Sequence, residues 1–400
     1  MTQSALSPSP AATAADHLVP TYSRGPVQFV RGQGARLYAQ DGKEYLDFLA
    51  GIAVNALGHA HARLTRELQE QLATQVHVSN LWATPLQLEV AGLLAKATGL
   101  PRVFFTNSGA EAVEACLKFA RRWQKSQGHP ERFGFVALEG AFHGRTFGAL
   151  SLTWSKKYRE PFEPLLPGAC HVPPEDLGAL RQALLQKPAA VVLEPIQGEG
   201  GIRELSGSYL QEVRRLCTET GTLLIHDEVQ SGCGRTGRFL AADHHGVKPD
   251  LIALAKPIAG GLPMGAAIAS EAVAQSIHAG EHGSTFAGGP LVCRAARVFL
   301  SELFDHGLLQ RAATLGQRMK DGLLALQREF RCIAEVRGRG LLLGLKLDRP
   351  GKDIAQALFD RGLIVNCTAE TVLRIAPPLV VSEADIDQAL TLLRQNLPRS

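Results

Sequence analysis

Two residues that can do chemistry follow apolar runs in the middle of the chain. Asp227 comes two positions after the run 223–225, and Lys256 comes directly after the run 251–255. A carboxylate at the end of a buried strand needs a cationic or hydrogen-bonding partner, because burying an unpaired charge is costly. Desolvation lowers the pKa of a lysine, and its amine then becomes a nucleophile that forms Schiff bases with carbonyl compounds.

Each of these residues also has an ordinary structural explanation. Lys256 fits a strand-end lysine whose amine extends to water. Asp227 fits an ion pair with Arg235 or Arg238, and it fits equally well a partner for the pyridinium nitrogen of a bound cofactor. The two positions by themselves leave these explanations open.

More polar and aromatic residues follow the other apolar runs. Ligands of parallel α/β sheets bind beyond the carboxyl ends of the strands, so these side chains are predicted to share one edge. They are Ser108, Gly109, Phe142, Arg145, Glu199 and Gln230. The segment 106–110 lies between a strand and a helix start, where free N–H groups and the helix dipole suit a phosphate. A plain N-cap by Ser108 or Asn107 accounts for the same residues.

The elements that must position this site alternate between strand and helix. Near-continuous apolar runs predict strands covered on both faces at 102–105, 135–138, 189–193, 222–225, 251–255 and 265–269. The stretch GAEAVEACLKFARRW places Val113, Cys116, Leu117 and Ala120 on one helical face. We therefore expect an α/β fold with a mainly parallel sheet and helices on both sides.

The C-terminal part of the chain has a different pattern. From about Leu303, a long amphipathic helix at 308–330 leads to EVRGRGLLLGLKL, a second helical stretch and VLRIAPPL, which indicates a smaller α+β domain. Residues 31–48 predict a hairpin that turns at Asp41-Gly42 and joins this domain. The expected organisation is a flexible tail at 1–18, a segment at 19–57 that joins the small domain, a large domain at 58–302 and the small domain at 303–400.

Composition excludes several classes of protein. The net charge of +4 is too small to favour nucleic acid or membrane binding. Seven cysteines without a C-x-x-C pair favour reduced thiols in the cytoplasm over disulfides or structural zinc. The N-terminus lacks the apolar core of a secretory signal, and no run is long enough to span a bilayer. The pairs His59 with His61 and His244 with His245 lack other ligands at metal-binding spacing, so no metal is expected.

The run GCGRTG at 232–237 matches the dinucleotide pattern G-x-G-x-x-G. In a dinucleotide site the pattern directly follows a strand and opens a helix, whereas here DEVQS intervenes and only a weak helix candidate follows. The glycines are instead expected to shape a loop around an active site.

Taken together, these stretches resemble the class III (ornithine/acetylornithine type) aminotransferases, which use pyridoxal 5′-phosphate (PLP). The resemblance extends from about Val19 to about Asn396 and implies the large and small domains of PLP-dependent transferases of fold type I. The matching stretches include QFVRGQGARLYAQDGKEYLDFLAGIAVNALGH, NSGAEAVEACLKFAR, AFHGRTFGALS, LEPIQGEGG, LIHDEVQSGCGRTG, PDLIALAK, GEHGSTF and RGRGLLLG.

The resemblance implies roles for the residues around the cofactor. Lys256 resembles the Schiff-base lysine, which later moves the proton between substrate and cofactor. Asp227 resembles the partner that keeps the pyridine nitrogen protonated, so that the ring accepts carbanion charge. Gln230 resembles the donor to the 3′-oxygen of the ring, and Phe142 and Val229 the residues on its two faces.

The phosphate is expected at the turn Ser108, Gly109 and Ala110. Thr285 resembles the residue that reaches the phosphate of the neighbouring subunit, which implies a homodimer with shared active sites. The neighbouring Ser284 is assigned to the substrate.

For the substrates, the resemblance implies a switchable ion pair. Arg374 is expected to hold the α-carboxylate of glutamate, Glu199 to pair with it when an ω-amine substrate enters, and Arg145 to hold the far carboxylate. The stretch FLAGIAVNALGH is similar to the acetylornithine branch of the family, and the apolar Ile52 suits an acylated α-amine better than a free ammonium. The expected reaction is amino transfer from N²-acetylornithine to 2-oxoglutarate, in arginine biosynthesis. Alternatives are another ω-aminotransferase, acting on succinylornithine, a carrier-linked lysine intermediate, ornithine or 4-aminobutyrate, or an aminomutase of the same fold.

Three residues depart from the family pattern. Pro257 follows the lysine directly and lacks an N–H. Ala287 replaces a glycine and is expected to strain its loop if that position has positive φ. Ala62 replaces the usual proline after G-H-x-H.

Overall fold

The computed structural model describes residues 17–398, so most of the tail predicted at 1–18 lies outside the described residues. The strands are β1 Phe29–Gln33, β2 Arg36–Ala39, β3 Glu44–Asp47, β4 Arg102–Thr106, β5 Phe135–Leu138, β6 Ala169–Val172, β7 Ala190–Leu193, β8 Ile196–Gln197, β9 Arg203–Glu204, β10 Leu223–Asp227, β11 Leu251–Leu254, β12 Gly265–Ala269, β13 Ile333–Arg339, β14 Leu342–Leu347, β15 Leu363–Ile364, β16 Asn366–Thr368 and β17 Val372–Ile375.

Twelve α-helices are described between residues 17 and 398. They are α1 Ala62–Thr74, α2 Pro85–Thr98, α3 Gly109–Ser126, α4 Phe147–Leu152, α5 Lys156–Arg159, α6 Leu177–Leu184, α7 Gly207–Thr220, α8 Glu271–Ala274, α9 Pro290–Phe304, α10 Leu308–Glu329, α11 Lys352–Asp360 and α12 Glu383–Asn396. Short 3₁₀ turns lie at Glu160–Phe162, Ala241–His244 and Lys256–Ala259. The segment Ala50–Ala53 is a single left-handed turn, in which even the β-branched Ile52 has φ +67°. None of the described helices is long and apolar enough to cross a membrane.

The large sheet has seven strands in the order β4-β12-β11-β10-β7-β5-β6. Strand β12 is antiparallel to both neighbours, and the other pairs are parallel, which confirms the expected mainly parallel α/β sheet. All six predicted strands are present. The edge strand β6 was not predicted, because its partly exposed sequence ACHV lacks a continuous apolar run.

One predicted strand boundary needs correction. Strand β10 covers Leu223–Asp227 rather than 222–225, so Asp227 is the last residue of the strand and not a residue of the following loop. A strand end held by neighbours on both sides positions its side chain more rigidly than a loop does.

Helices cover both faces of this sheet, which explains the continuous apolar runs of its central strands. On one face, α3 buries Val113, Cys116, Leu117 and Ala120, the positions predicted from their spacing. On the other face, α6 and α7 pack on β7 and β10. The sheet is therefore a two-sided core that holds its strand ends at fixed positions.

The C-terminal part forms a second sheet, β13-β14-β17-β16, against α10, and α12 packs on α10 and α11. The N-terminal strands join the same region, since β3 pairs in parallel with β15. The predicted hairpin turn at Asp41-Gly42 lies between β2 and β3, and Gly42 has φ +87°. The domain boundaries at 57 and 302 remain a prediction.

The glycine loop at 232–237 does not surround the site, contrary to the expectation. Gly234 and Gly237 have φ of +86° and +85°, and the loop packs against the β13–β14 turn, where a Cβ on Gly340 would lie 2.5 Å from the Thr236 carbonyl carbon. Arg235 is fully buried and donates hydrogen bonds to the carbonyls of Leu341 and Pro377. The glycines thus allow close packing between the part of the molecule that carries the large sheet and the C-terminal part.

The buried His226 predicts a pH dependence of stability. Burial, together with the charge of Arg214, lowers its pKa to about 3, and neither ring nitrogen has a hydrogen-bond partner among the described residues. The unfolded chain binds a proton at this histidine below about pH 6.5, whereas the folded chain stays neutral there. The free energy of unfolding should therefore fall as the pH decreases from about 6.5 towards 3, by up to about 1.4 kcal/mol per pH unit from this group.

Urea unfolding of the apo protein at pH 5 and pH 7.5 measures this effect, with a variant His226→Leu as the comparison. The variant should be more stable than the wild type at pH 5 and should lose less stability between the two pH values. Equal pH dependence in the two proteins would contradict the prediction.

Candidate active site

The predicted residues meet at the carboxyl edge of the large sheet. There, the ends of β5, β7, β10 and β11 and the start of α3 surround a cavity of about 50 Å³. Its lining residues are Gly109, Ala110, Phe142, His143, Gly144, Glu194, Glu199, Asp227, Val229, Gln230 and Lys256. A larger cleft of about 1190 Å³ lies beside it and shares Phe142 and Glu199 with it. The cavity thus has an approach wide enough for small substrates.

Lys256 begins the 3₁₀ turn that follows β11, and its backbone has the unusual φ of +47° for a residue with a side chain. Burial lowers the pKa of its amine, and the positive charge of Arg374 lowers it further, against the opposing carboxylates around the cavity. Pro257 occupies the first turn of this helical segment, where the missing N–H costs little. Both effects shift the equilibrium of Lys256 towards its neutral, nucleophilic form.

Asp227 pairs with a histidine rather than with Arg235 or Arg238. Its Oδ2 lies 2.7 Å from Nδ1 of His143, and its Oδ1 accepts a hydrogen bond from the Val229 N–H at 3.0 Å. Burial alone would lower the pKa of His143, but the hydrogen bond and charge of Asp227 outweigh it and raise that pKa. Asp227 is therefore held in one orientation next to the cavity.

The start of α3 forms the turn predicted to bind an anion. Ser108 is the N-cap, since its Oγ accepts the Glu111 N–H at 3.2 Å, so the capping explanation is also correct. The N–H groups of Gly109 and Ala110 belong to the first turn, which has no internal acceptors. A Cβ on Gly109 would lie 2.6 Å from Cγ1 of Val229, so only glycine permits this close approach of turn and cavity wall.

Arg374 and Glu199 form an ion pair, as expected for a gate. Arg374 is almost completely buried, with 1% of its surface exposed, and also donates hydrogen bonds to Asn366 at 3.0 Å and to Oε1 of Gln230 at 3.1 Å. Thr368 Oγ1 donates to the Glu199 backbone carbonyl at 2.7 Å. The guanidinium is thus hidden from solvent by the Glu199 carboxylate.

Five predicted residues are not among those that line the cavity: Ser108, Arg145, Ser284, Thr285 and Arg374. Ser108 directly precedes Gly109, and Arg374 bonds to the lining residues Gln230 and Glu199. Arg145 is exposed, with its guanidinium 3.7 Å from the ring centroid of Tyr158. Ser284 Oγ accepts a hydrogen bond from Asn107 at 3.0 Å, and Thr285 is exposed. The contacts of Arg145 and Ser284 with substrate, and of Thr285 with the phosphate of the neighbouring subunit, remain predictions.

The predicted strain at Ala287 is absent. This residue is buried outside the left-handed region, and the positive φ of +67° belongs to Gly288. The replacement of glycine by alanine at 287 is therefore compatible with an unstrained loop.

Two titratable residues of the cavity wall were not predicted from the sequence. His143 is the neighbour of Phe142, and Glu194 is the first residue after β7. The rule that ligands lie beyond the strand ends would have found Glu194, because it directly follows an apolar run. Nothing in the sequence indicates that His143, rather than an arginine, is the partner of Asp227. No metal-binding group of three histidine, cysteine, aspartate or glutamate side chains occurs within residues 17–398.

Comparisons with known proteins identify the family of this chain. Residues 20–397 match the model of the family "Aminotransferase class-III". The chain is 46% identical over 382 residues to the acetylornithine aminotransferase of Aquifex aeolicus, which covers 95% of this chain and 100% of that protein. It is 45% identical over 380 residues to the acetylornithine aminotransferase of Methanosarcina mazei, covering 95% of this chain and 94% of the relative.

Among solved structures, the ornithine aminotransferase of Toxoplasma gondii superimposes with a TM-score of 0.91 at 34% identity, covering 96% of this chain and 93% of that one. One crystal structure of that enzyme has partial occupancy of PLP at the active site. The family match extends over nearly the whole described chain, and the relatives match along their whole length. This chain therefore belongs to the class-III aminotransferase family.

Proposed function

We propose that the protein transfers the 5-amino group of N²-acetylornithine to 2-oxoglutarate with PLP as cofactor, giving N-acetylglutamate 5-semialdehyde and glutamate. The observation that carries the proposal is the buried Arg374, paired with Glu199 at the wall of a cavity that also contains Lys256 and Asp227. Such an arrangement suits an enzyme that must admit two different amino donors in turn. The names of the relatives from Aquifex aeolicus and Methanosarcina mazei support N²-acetylornithine as one of them.

The residues of the cavity fit PLP. The buried Asp227 offers a fixed anion to a pyridinium nitrogen, and the first turn of α3 offers N–H groups and a helix dipole to a phosphate. Phe142 and Val229 supply the apolar walls for a flat ring, and Gln230 is the proposed donor to its 3′-oxygen. When bound, PLP serves as the electron sink that makes the proton on the amine-bearing carbon acidic.

Lys256 is proposed to transfer protons, and Asp227 to control the charge of the cofactor ring. Lys256 Nζ, with its lowered pKa, takes the proton from the carbon that bears the amine and later returns one. Asp227 would hold a proton on the pyridine nitrogen of bound PLP, and its bond to His143 fixes the orientation of the carboxylate.

Arg374 and Glu199 are proposed to select the donor. With the pair formed, the cation is neutralised and the cavity accepts the 5-amino end of N²-acetylornithine, whose amine-bearing carbon carries no carboxylate. With Glu199 displaced, Arg374 presents a planar fork to the α-carboxylate of glutamate. Arg145 is the proposed partner of the far carboxylate, and Ser284 a further substrate contact.

Ile52 supports the acetylated substrate over free ornithine. Its side chain is 38% exposed on the left-handed turn after β3, and this turn lies beside Arg374, because the Ala376 N–H donates to the Phe48 carbonyl at 2.8 Å. An apolar group there offers no partner to a free α-ammonium. Ornithine remains the second candidate, since the Toxoplasma gondii ornithine aminotransferase has the same fold at 34% identity.

The visible absorption spectrum of the purified protein with PLP tests the proposal. The cofactor band should bleach at low concentrations of N²-acetylornithine and should require far higher concentrations of ornithine, succinylornithine or 4-aminobutyrate. Recovery of the band on adding 2-oxoglutarate distinguishes an aminotransferase from an aminomutase, which needs no oxo acid. Absence of any band after incubation with PLP would contradict the cofactor assignment.

A homodimer is proposed from an exposed apolar patch, the patch 72–88/286. Its members are Leu72, Val76, Leu81, Trp82, Leu88 and Phe286, each more than half exposed. Asn80 ties the two parts of the patch together, donating to the carbonyls of Ser284 and Ala287 at 3.0 Å. A contiguous apolar surface of this kind marks an interface. In this homodimer, Thr285, which lies next to Phe286 in the chain, is the residue proposed to reach the phosphate of the partner subunit.

Trp82→Asp should weaken the dimer, because a charge replaces a central aromatic group of the patch. The expected increase in the dimer dissociation constant is at least about thirtyfold, equivalent to about 2 kcal/mol. Sedimentation velocity over a range of concentrations measures it, with the equally exposed but distant Leu185→Asp as control. Unchanged association in Trp82→Asp would exclude this surface as the interface.

The proposed compartment is the cytoplasm, and the proposed pathway is arginine biosynthesis. All seven cysteines are free thiols, as a reducing compartment requires. The assignment to arginine biosynthesis follows from N²-acetylornithine as the proposed substrate.

A further inference from the structure

Glu194 is a buried carboxylate at the cavity for which the proposed reaction has no use. It follows β7 directly, is 5% exposed and lines the cavity together with Lys256 and Asp227. A buried carboxylate is costly unless hydrogen bonds compensate it, so its partners indicate why it is there.

The two oxygens of Glu194 bind two different loops. Oε1 accepts the Phe142 N–H at 3.0 Å, in the loop after β5, and Oε2 accepts the Gly198 N–H at 3.0 Å, directly before Glu199. One loop presents the aromatic wall of the cavity, and the other presents the carboxylate that covers Arg374. The Glu194 side chain thus bonds to both loops and links the aromatic wall to the loop that carries Glu199.

Other contacts show that the two loops lie against each other. Gln197 Nε2 donates to the Glu139 carbonyl at 2.9 Å, and a Cβ on Gly200 would lie 2.8 Å from the Gly140 carbonyl oxygen. Movement of the Glu199 loop would therefore change the position of the Phe142 loop, unless Glu194 keeps both in place.

We propose that Glu194 is a positioning residue that ties the Phe142 loop to the Glu199 loop and so couples the ring-binding wall to the choice of amino donor. This inference rests on the proposed function. Burial raises the pKa of Glu194 to about 7, while its two backbone hydrogen bonds and His143 favour the ionised form. The ionised form is the one whose two oxygens can both accept.

Glu194→Gln tests the proposal. The amide oxygen can still accept one of the two backbone N–H groups, but the amide NH₂ is itself a donor and cannot accept the other. Amide hydrogen exchange should accelerate at Phe142 or Gly198 in the apo protein. The dissociation constant of PLP, measured by titrating the apo protein, should increase about tenfold, as for loss of one hydrogen bond to a charged group. The ratio of half-reaction rates for N²-acetylornithine and glutamate should change about fivefold or more.

Glu228→Gln is the matched control. Glu228 is as deeply buried and accepts two backbone N–H groups, of Ala241 at 3.0 Å and Ala242 at 2.9 Å, but it contacts neither of the two loops. Burial raises its pKa to about 7 as well. The control should lose comparable thermal stability yet keep the affinity for PLP and the donor ratio.

Wild-type affinity and donor ratio in Glu194→Gln, at the same loss of stability as the control, would overturn the proposal. If Glu194→Gln does not fold, Glu194→Asp replaces it, since the shorter carboxylate can reach only one of the two donors. Wild-type values in that variant overturn the proposal equally. A wild-type protein that takes up no PLP contradicts the proposed function. Amide hydrogen exchange at Phe142 and Gly198 in the apo protein still shows whether Glu194 holds the two loops together.

Discussion

Lys256→Ala is expected to abolish turnover, by at least about four orders of magnitude in kcat, while the protein remains folded. Lys256 is the only lysine at the described cavity wall, and burial lowers its pKa. Its replacement removes both the nucleophile and the group that carries the proton, and no other residue of the wall supplies an amine. The measurement is single-turnover kinetics with N²-acetylornithine, alongside circular dichroism.

Lys320→Ala is a suitable control for this variant. Lys320 is also partly buried and donates to the Gly338 carbonyl at 2.8 Å, but it lies on α10, away from the cavity. It should lose stability without losing turnover. Substantial turnover in Lys256→Ala would mean that another residue performs the proton transfer.

The large sheet could be predicted from its apolar runs, because the central strands are buried on both faces and their sequences are continuously apolar. The same reasoning missed the edge strand Ala169–Val172, where exposure removes that signal. It also misjudged the glycine loop at 232–237. Whether glycines approach a ligand or another backbone depends on what lies opposite them, and here that is Gly340, more than a hundred positions later in the sequence.

The site was predictable to the extent that its residues follow strands. Asp227, Lys256 and Glu199 meet because parallel strands end at one edge, and that rule needs no knowledge of side-chain partners. The partners themselves were not predictable from the residues alone. From the sequence alone, His143 is no more plausible a partner of Asp227 than the nearby arginines. In the structure, Arg235 donates to backbone carbonyls instead, and His143 pairs with Asp227.

Arg374→Ala should affect the two donors unequally. The kcat/KM for glutamate is expected to fall about 100-fold or more, since the bidentate partner of its α-carboxylate is lost. The kcat/KM for N²-acetylornithine should fall by less than about tenfold, because Arg374 is covered by Glu199 when that substrate binds. Separate half-reaction kinetics, followed by the cofactor band, measure both values.

Glu199→Gln is the reciprocal variant and makes the test sharper. Removing the carboxylate leaves Arg374 charged and uncompensated at the cavity, apart from the neutral acceptors Gln230 and Asn366. N²-acetylornithine should now bind more weakly, while glutamate should bind as well as in the wild type or better, because no ion pair has to open. Opposite changes in the two variants are the signature of a gate, whereas equal losses for both donors would show that the ion pair only stabilises the fold.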